Sequence, residues 1–389
     1  MLKDKFFICF AEDWGRHPTS TQHLIREFLK NNRVLWINSI SIRPPKLSLY
    51  DLNRLFVKLK GWKAQPQQNK FSNLKILSPL VIPFYSIQFF RKINENLLSK
   101  QVSKKLMKIL NKKPILWLSV PTAIDMLGKF NETLSIYYCG DEFSEYPGVS
   151  KEVIIEMEKE LLSKIDLVIV TSNKLYEAKR KYNKNTFIVT HGVDFEHFYK
   201  ENYVNESMPE GLKNIKKPII GFYGLIADWV NLELFKYIAK SRPEWSLVLI
   251  GKSMVGLDSL KKSYSNIHIL GPVNYQKLPH YSVNFDIALM PFKMNKLTTF
   301  VNPLKMFEYM ASGLPIVSTY LPELDRYSKI IKLATSKEEF LERIDECLKE
   351  KDRTYIQEGI NIAKEETWQK KAQEISLLIE KILAEKGLK

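Results

Sequence analysis

The sequence predicts an α/β protein built from two Rossmann-like domains, each a doubly wound parallel sheet. Short apolar strands alternate with amphipathic helical patterns along the chain, an order that produces parallel sheets covered on both faces. The alternation runs twice, with a polar stretch at about residues 199–217 separating the runs. A chain of 389 residues is also too long for one ordinary core.

The first run contains the strands "FFICFA", "RVLWINS", "LKILSPL", "PILWLSV", "LSIYYC", "DLVIVTS" and "TFIVTHG", separated by helical patterns such as "PTSTQHLIREFLK" and "SKEVIIEMEKELLSK". In the second run, "PIIGFYG", "WSLVLIG", "NIHILG", "FDIALMP", "PIVST" and "IIKLA" alternate with "NLELFKYIAKS" and "PLKMFEYMAS". Beyond Lys337 the pattern is almost wholly helical. The expected boundaries are an N-terminal domain over 1–200, a second domain over 201–365 and a terminal helix over 366–389.

Composition narrows the class. With 45% hydrophobic and 26% charged residues the chain is globular. Cys9, Cys139 and Cys347 are few, distant and odd in number, which favours reduced core thiols and a cytoplasmic compartment. The opening "MLKDKFFICFAEDWG" has too short an apolar run for a signal peptide, and no stretch of about 18 apolar residues occurs. The charge is uneven: residues 40–113 hold 16 Lys or Arg against 2 acids, nearly the whole formal excess of +16. That region also carries aromatic residues, as in "LSLYDLNRLFVKLKGWK" and "PLVIPFYSIQFFRKINENLLSK". Basic amphipathic segments of this kind bind anionic lipid surfaces; a solvated helix face and a nucleic-acid groove use the same residue types. No helix-turn-helix, zinc-ligand or RRM pattern accompanies them, so the expected partner is an anionic membrane surface and not nucleic acid.

The stretch "NPLKMFEYMASGLPIVST" marks a candidate site. Asn302 reads as an N-cap, Pro303 as the first helical residue and Gly313 as the left-handed C-cap. Leu304 and Lys305 then occupy the first turn, just past the carboxyl end of "FDIALMPF", where doubly wound sheets bind ligands. Free N–H groups and the helix dipole favour an anion there. Lys305 and Glu308 share a helix face, suited to a phosphate and to sugar hydroxyls; a surface ion pair worth ~0.2 to 0.5 kcal/mol has the same spacing. Three more strand ends reach the same edge: Gly221 and Gly224 in "IIGFYG", Gly251 and Lys252 in "LVLIGK", and Gly271 to Val273 in "IHILGPV". Their glycines let backbone approach a ligand closely. The pattern is not GxGxxG and lacks the following acid, so a nicotinamide cofactor is not expected.

In this order, these segments resemble the C-terminal domain of nucleotide-sugar glycosyltransferases of the GT-B fold, and "NTFIVTHGVDFEHF" is similar to the segment that closes their N-terminal domain. The resemblance is to bacterial exopolysaccharide and teichuronic acid glycosyltransferases, including the xanthan glucuronosyltransferase type. It implies a nucleotide-sugar donor, UDP-linked by expectation, on the C-terminal domain. It also implies a glycan or lipid-linked acceptor on the N-terminal domain, and a C-terminal helix that crosses back to that domain. Lys305 would then meet the donor diphosphate and Glu308 the ribose, with Gly224, Lys252, Val273, Asn302, Pro303 and Leu304 around them. Location would be peripheral, on the cytoplasmic face of the bacterial plasma membrane.

The chain departs from the wider family at Phe300, where many retaining members carry a glutamate, and at Leu225 and Val230, where they carry Arg and Lys. An inverting transfer is therefore expected, which needs a base for the acceptor hydroxyl. Asp141 and Glu142 in "IYYCGDEFSEYPG" follow a strand, and the xanthan-type resemblance points to Asp141 as the base, with Glu142 beside it. Either acid could instead cap a turn. Arg16 and His17 in "EDWGRHPTSTQHL" are candidates for acceptor or phosphate contact. There is no DxD motif or metal-ligand cluster, so neither metal nor cofactor is expected. A sugar epimerase or phosphorylase of the same architecture, and a non-enzymatic basic membrane or nucleic-acid binding protein, are the alternative function classes.

Overall fold

A computed structural model describes residues 1–15, 18–40, 71–106 and 112–388 of the chain. Arg16, His17 and most of the basic stretch from 41 to 70, with 107–111, lie outside the described residues. The chain divides into two compact units, one of residues 1–190 and 371–389 and the other of residues 191–370.

The first unit is a seven-stranded sheet in the order β3-β2-β1-β4-β5-β6-β7. Its strands are β1 (Phe6–Phe10), β2 (Arg33–Ile37), β3 (Leu74–Leu77), β4 (Ile115–Leu118), β5 (Leu134–Cys139), β6 (Leu167–Val170) and β7 (Thr186–Ile188). All adjacent pairs are parallel. Runs such as Phe6–Phe10 and Leu134–Cys139 are buried throughout, as strands covered on both faces must be. The terminal helix, Trp368–Glu385, contributes buried Ala372, Ile375, Ile379, Ile382 and Leu383. It is tied to this unit by the Leu2 N–H on Ser376 Oγ at 3.2 Å and by Lys386 on Asp166 at 2.7 Å.

The second unit is a six-stranded sheet in the order β10-β9-β8-β11-β12-β13, made of β8 (Ile219–Tyr223), β9 (Ser246–Ile250), β10 (Ile267–Gly271), β11 (Ile287–Met290), β12 (Ile316–Thr319) and β13 (Ile331–Ala334). It too is parallel throughout. In both sheets the strand order reverses beside the first strand, between β1 and β4 and between β8 and β11, and ligands bind at such points.

The unit boundaries fall at 190/191 and 370/371, not at the expected 200/201 and 365/366. The reason is packing. Val193 donates its N–H to Glu366 O at 2.8 Å and accepts from the Trp368 N–H at 3.3 Å. Phe195 and Phe198 sit in the second unit's apolar core with Tyr223, Met306 and Tyr309. The segment read as the end of one domain thus belongs to the other.

One polar cluster interrupts the first unit's core. Lys179 Nζ lies 2.7 Å from Glu142 Oε2 and 2.6 Å from Glu158 Oε2, and Tyr137 donates to Glu158 Oε1 at 2.7 Å. Burial opposes the Lys179 charge, but the neighbouring Cys139, Glu158 and Glu142 more than offset it and hold the ammonium above its ordinary value. Removing one member of such a cluster leaves an uncompensated buried charge. Lys179→Met is expected to lower unfolding stability by about 3 to 5 kcal/mol in urea titrations; a loss below about 1 kcal/mol would mean that the cluster is not sealed from water.

Candidate functional site

The second unit's candidate site is assembled from strand ends. Gly224 follows β8 at φ +143° and Gly251 follows β9 at φ +142°, a region that side chains rarely adopt. The two loops touch through backbone. The Gly224 N–H donates to Ile250 O at 2.8 Å, and the Gly251 N–H donates to Gly271 O at 2.8 Å. A Cβ on Gly251 would stand 1.8 Å from Gly224 O, so only glycine allows the approach. A Cβ on Gly224 would stand 2.1 Å from Lys305 Cε and 2.7 Å from its Nζ. The Lys305 ammonium therefore lies directly over the first glycine loop.

Lys305 is held there by the Leu304–Ala311 helix, whose other side buries Met306, Phe307, Tyr309 and Met310. The helix begins one residue later than expected. Pro303 has ψ 104° and occupies the cap position, and no side chain caps the helix. Within its first turn the Met306 N–H donates to Pro303 O at 3.1 Å. Asn302, expected to be the cap, is only 2% exposed, and neither side-chain Nδ2 nor Oδ1 has a hydrogen-bond partner. Glu308 is 5% exposed. Burial pushes its carboxyl up to about 7, against the opposing pull of Lys305 and Tyr223. Burial likewise lowers Lys305, with Glu308 opposing. Tyr223 Oη is buried near Glu308 without reaching hydrogen-bond geometry. Among the described residues, the edge thus gathers a cation with no acid within ion-pair distance, an unpartnered amide, an unpartnered phenol and a carboxyl raised to about 7. Buried polar groups are normally satisfied, and such a set suits a polyhydroxylated anionic ligand.

Of the remaining expected residues in this unit, Lys252 is exposed and its carbonyl receives the Ile226 N–H at 2.9 Å. Val273 is half-buried against the apolar core just past β10. Leu225, where many retaining members of the resembled family carry a cation, is 41% exposed beside Gly224.

Comparison with known proteins decides the class. Residues 217–350 match the family model described as glycosyl transferases group 1. The second unit thus resembles a glycosyltransferase domain over that segment. Over 231 residues the chain is 26% identical to a putative teichuronic acid biosynthesis glycosyltransferase, TuaH, of Bacillus subtilis, covering 56% of this chain and 57% of that protein's length. Sucrose-phosphate synthase from Thermosynechococcus elongatus superimposes with a TM-score of 0.73 at 14% identity over 98% of this chain and 99% of the other. Anabaena HepE, solved with UDP and glucose, superimposes with a TM-score of 0.66 at 12% identity over 97% and 99% of the two chains. Two Rossmann-like parallel-sheet units are the GT-B fold shared with these structures.

In the first unit, Asp141 lies two residues past β5, at the carboxyl edge of the sheet. Burial raises its carboxyl to about 6, with the Tyr146 hydroxyl pulling it down and Glu142 pushing it up. Tyr146 Oη donates to Asp141 Oδ2 at 2.6 Å. Glu142, expected beside Asp141 toward the acceptor, has both oxygens engaged: Oε1 by Ser144 at 2.7 Å and Oε2 by Lys179. Its geometry is that of an anchor. Sequence reasoning missed Glu12, whose carboxyl receives Thr19 Oγ1 and, at 3.4 Å, Gln22 Nε2, and which burial raises. Its only signal was an acid directly after β1 and seven residues before a helix cap. Among the described residues, no group of three His, Cys, Asp or Glu side chains could hold a metal ion.

The Glu308 environment has a measurable consequence. The folded carboxyl titrates at about 7 against 4.5 when unfolded, so the unfolded chain releases its proton first as pH rises. Stability from this group is therefore lost between pH 4.5 and 7, by about 3 kcal/mol. Glu308→Gln, which stays neutral, is expected to match wild type near pH 4.5 and to exceed it in denaturant titrations by up to that amount at pH 8. Equal stabilities at pH 8 would show that Glu308 is solvated.

Proposed function

We propose that the protein is a glycosyltransferase that moves a sugar from a nucleoside diphosphate sugar, UDP-linked, to a glycan or lipid-linked acceptor in bacterial cell-surface polysaccharide synthesis. The observation that carries the reading is the Lys305 ammonium without an acid partner, resting over the Gly224 loop beside an uncapped helix N-terminus. It lies within the segment that matches group 1 glycosyl transferases. The UDP and glucose of Anabaena HepE and the teichuronic acid assignment of TuaH support the donor and the product class.

In this reading the donor diphosphate meets Lys305 and the amides of Leu304 and Lys305, Glu308 accepts hydrogen bonds from the ribose hydroxyls, and Asn302 lies beside them. Asp141 takes the proton of the acceptor hydroxyl. The freed oxygen pair bonds to the anomeric carbon as the carbon–oxygen bond to the diphosphate breaks, and that electron pair leaves on the diphosphate. Attack from the face opposite the leaving group inverts the anomeric centre. Lys305 and the helix dipole stabilise the charge that develops on the leaving group. Phe300, Leu225 and Val230 supply none of the charges that many retaining members use at those positions.

The acceptor is proposed to be presented at an anionic membrane surface. No described helix is long and apolar enough to cross a membrane. Between residues 80 and 97, Leu80, Ile87, Phe89 and Leu97 are exposed, with Phe89 at 68%. The adjoining Lys92, Lys100, Lys104 and Lys105 belong to a stretch carrying nearly all of the chain's excess positive charge.

Three experiments test these readings. UDP at 100 times its dissociation constant is expected to stabilise the protein by ~2.7 kcal/mol, more than ADP, GDP or CMP does, and Lys305→Ala is expected to abolish most of that thermal shift. An unchanged shift removes Lys305 from the site. Asp141→Asn is expected to keep the shift and lose about 100- to 10,000-fold in turnover, read as UDP release from the stabilising UDP-sugar. For the membrane, vesicles containing phosphatidylglycerol are expected to retain the protein and phosphatidylcholine vesicles to release it, with Phe89→Ser weakening retention. Equal partition to both overturns the surface.

A further inference from the structure

Asp141 is held more tightly than a turn residue requires. Behind it, Gly140 O accepts Thr171 Oγ1 from the end of β6 at 2.9 Å, and Asp141 O accepts Cys139 Sγ at 3.4 Å. Ahead of it, Glu142 is pinned by Ser144 and Lys179. The backbone is thus fixed on both sides, and only the Asp141 side chain is left to choose a direction.

Tyr146 makes that choice. It follows the single turn Phe143–Glu145, whose end is closed by the Tyr146 N–H on Phe143 O at 3.3 Å. Its ring packs edge-on against Phe143 at 5.5 Å and 66°. From this seat its hydroxyl reaches Asp141 Oδ2 at 2.6 Å. We propose that Tyr146 is a positioning residue that locks Asp141 Oδ2, leaving Oδ1 as the oxygen that receives the acceptor proton. The proposal rests on the reading of Asp141 as the base.

The choice of a phenol has a physical logic. A desolvated carboxylate beside Glu142 is pushed toward the protonated form, in which it cannot act as a base. A cation at the place of Tyr146 would restore the charge, but it would also neutralise the carboxylate and depress its pKa by about 1 to 3 units, weakening the base. A neutral donor stabilises the anion by less and leaves Asp141 at about 6, ionised at neutral pH yet still basic. The charged groups around Asp141 among the described residues fit this balance. Glu142 is compensated by Lys179, the Glu145 carboxylate on the same turn is paired with Lys151, and the buried Tyr138 hydroxyl lies near both Asp141 and Glu12.

Carbon-13 NMR of the full chain labelled at aspartate carboxyls, with Asp141→Asn identifying the resonance, reads the balance without any substrate. Wild-type Asp141 is expected to titrate near pH 6. Tyr146→Phe is expected to raise the midpoint by about one pH unit, the loss of one charge-assisted hydrogen bond. Placing 3-fluorotyrosine at position 146, a stronger donor of the same shape, is expected to lower it, and this variant decides the matter if Tyr146→Phe fails to fold. A midpoint that stays within about 0.2 of wild type in the variants that fold overturns the proposal. The base reading fails separately: Asp141→Asn with undiminished turnover would sink it and leave the titration result standing.

Discussion

A parallel sheet delivers the carboxyl end of every strand to the same edge, and the chemistry of both units depends on that constraint. In the second unit it places the loops after β8 and β9 close enough for Gly251 to meet the Gly224 carbonyl, and it sets the Leu304–Ala311 helix so that Lys305 covers Gly224. In the first unit it places Glu12 after β1 and Asp141 after β5 on one edge. Neither set of residues is close in sequence. The strand order brings each together, with the reversals beside β1 and β8 opening the sheet where a ligand can enter.

Buried charge is treated in two opposite ways. Lys179, Glu142 and Glu158 satisfy one another at 2.6 to 2.7 Å, which makes them structural: their interactions are complete without a ligand. Among the described residues, the Asn302 amide and the Tyr223 hydroxyl are left without such partners, and Glu308 keeps a carboxyl raised to about 7 beside Lys305. Incomplete satisfaction costs stability in the free protein. The contrast separates anchor from site more sharply than residue type does, since both sets contain one lysine and at least one glutamate.

The two kinds of group meet at Asp141 and Glu142. They are adjacent in sequence and chemically alike, yet one is an anchor within the core and the other carries a carboxylate with one oxygen held by Tyr146. The anchor fixes the backbone from which the Asp141 side chain projects. A buried carboxylate proposed as a base needs such a rigid support, because its own desolvation works against the ionised state.

By itself the sequence determined the fold class and the thirteen strands of the described residues. These follow from local signals: β-branched apolar runs, Gly and Pro punctuation, and a helix followed, after its Ser312 cap, by Gly313 at φ +65°. Lys305 and Glu308 were legible because helical spacing places them on one face. The cap at Pro303, the unpartnered state of Asn302 and the inward turn of Glu142 were not legible, since each depends on what neighbouring strands and helices offer at that point. Tyr146 stood in plain view five residues after Asp141, but its hydrogen bond arises only when the Phe143–Glu145 turn folds back. The domain boundary moved for the same reason: Val193 pairs with the segment at Glu366 to Trp368, more than 170 positions away. Pattern determines which element forms; the partner each polar group finds is decided by tertiary packing, because burial and hydrogen bonding are set by atoms distant in the chain.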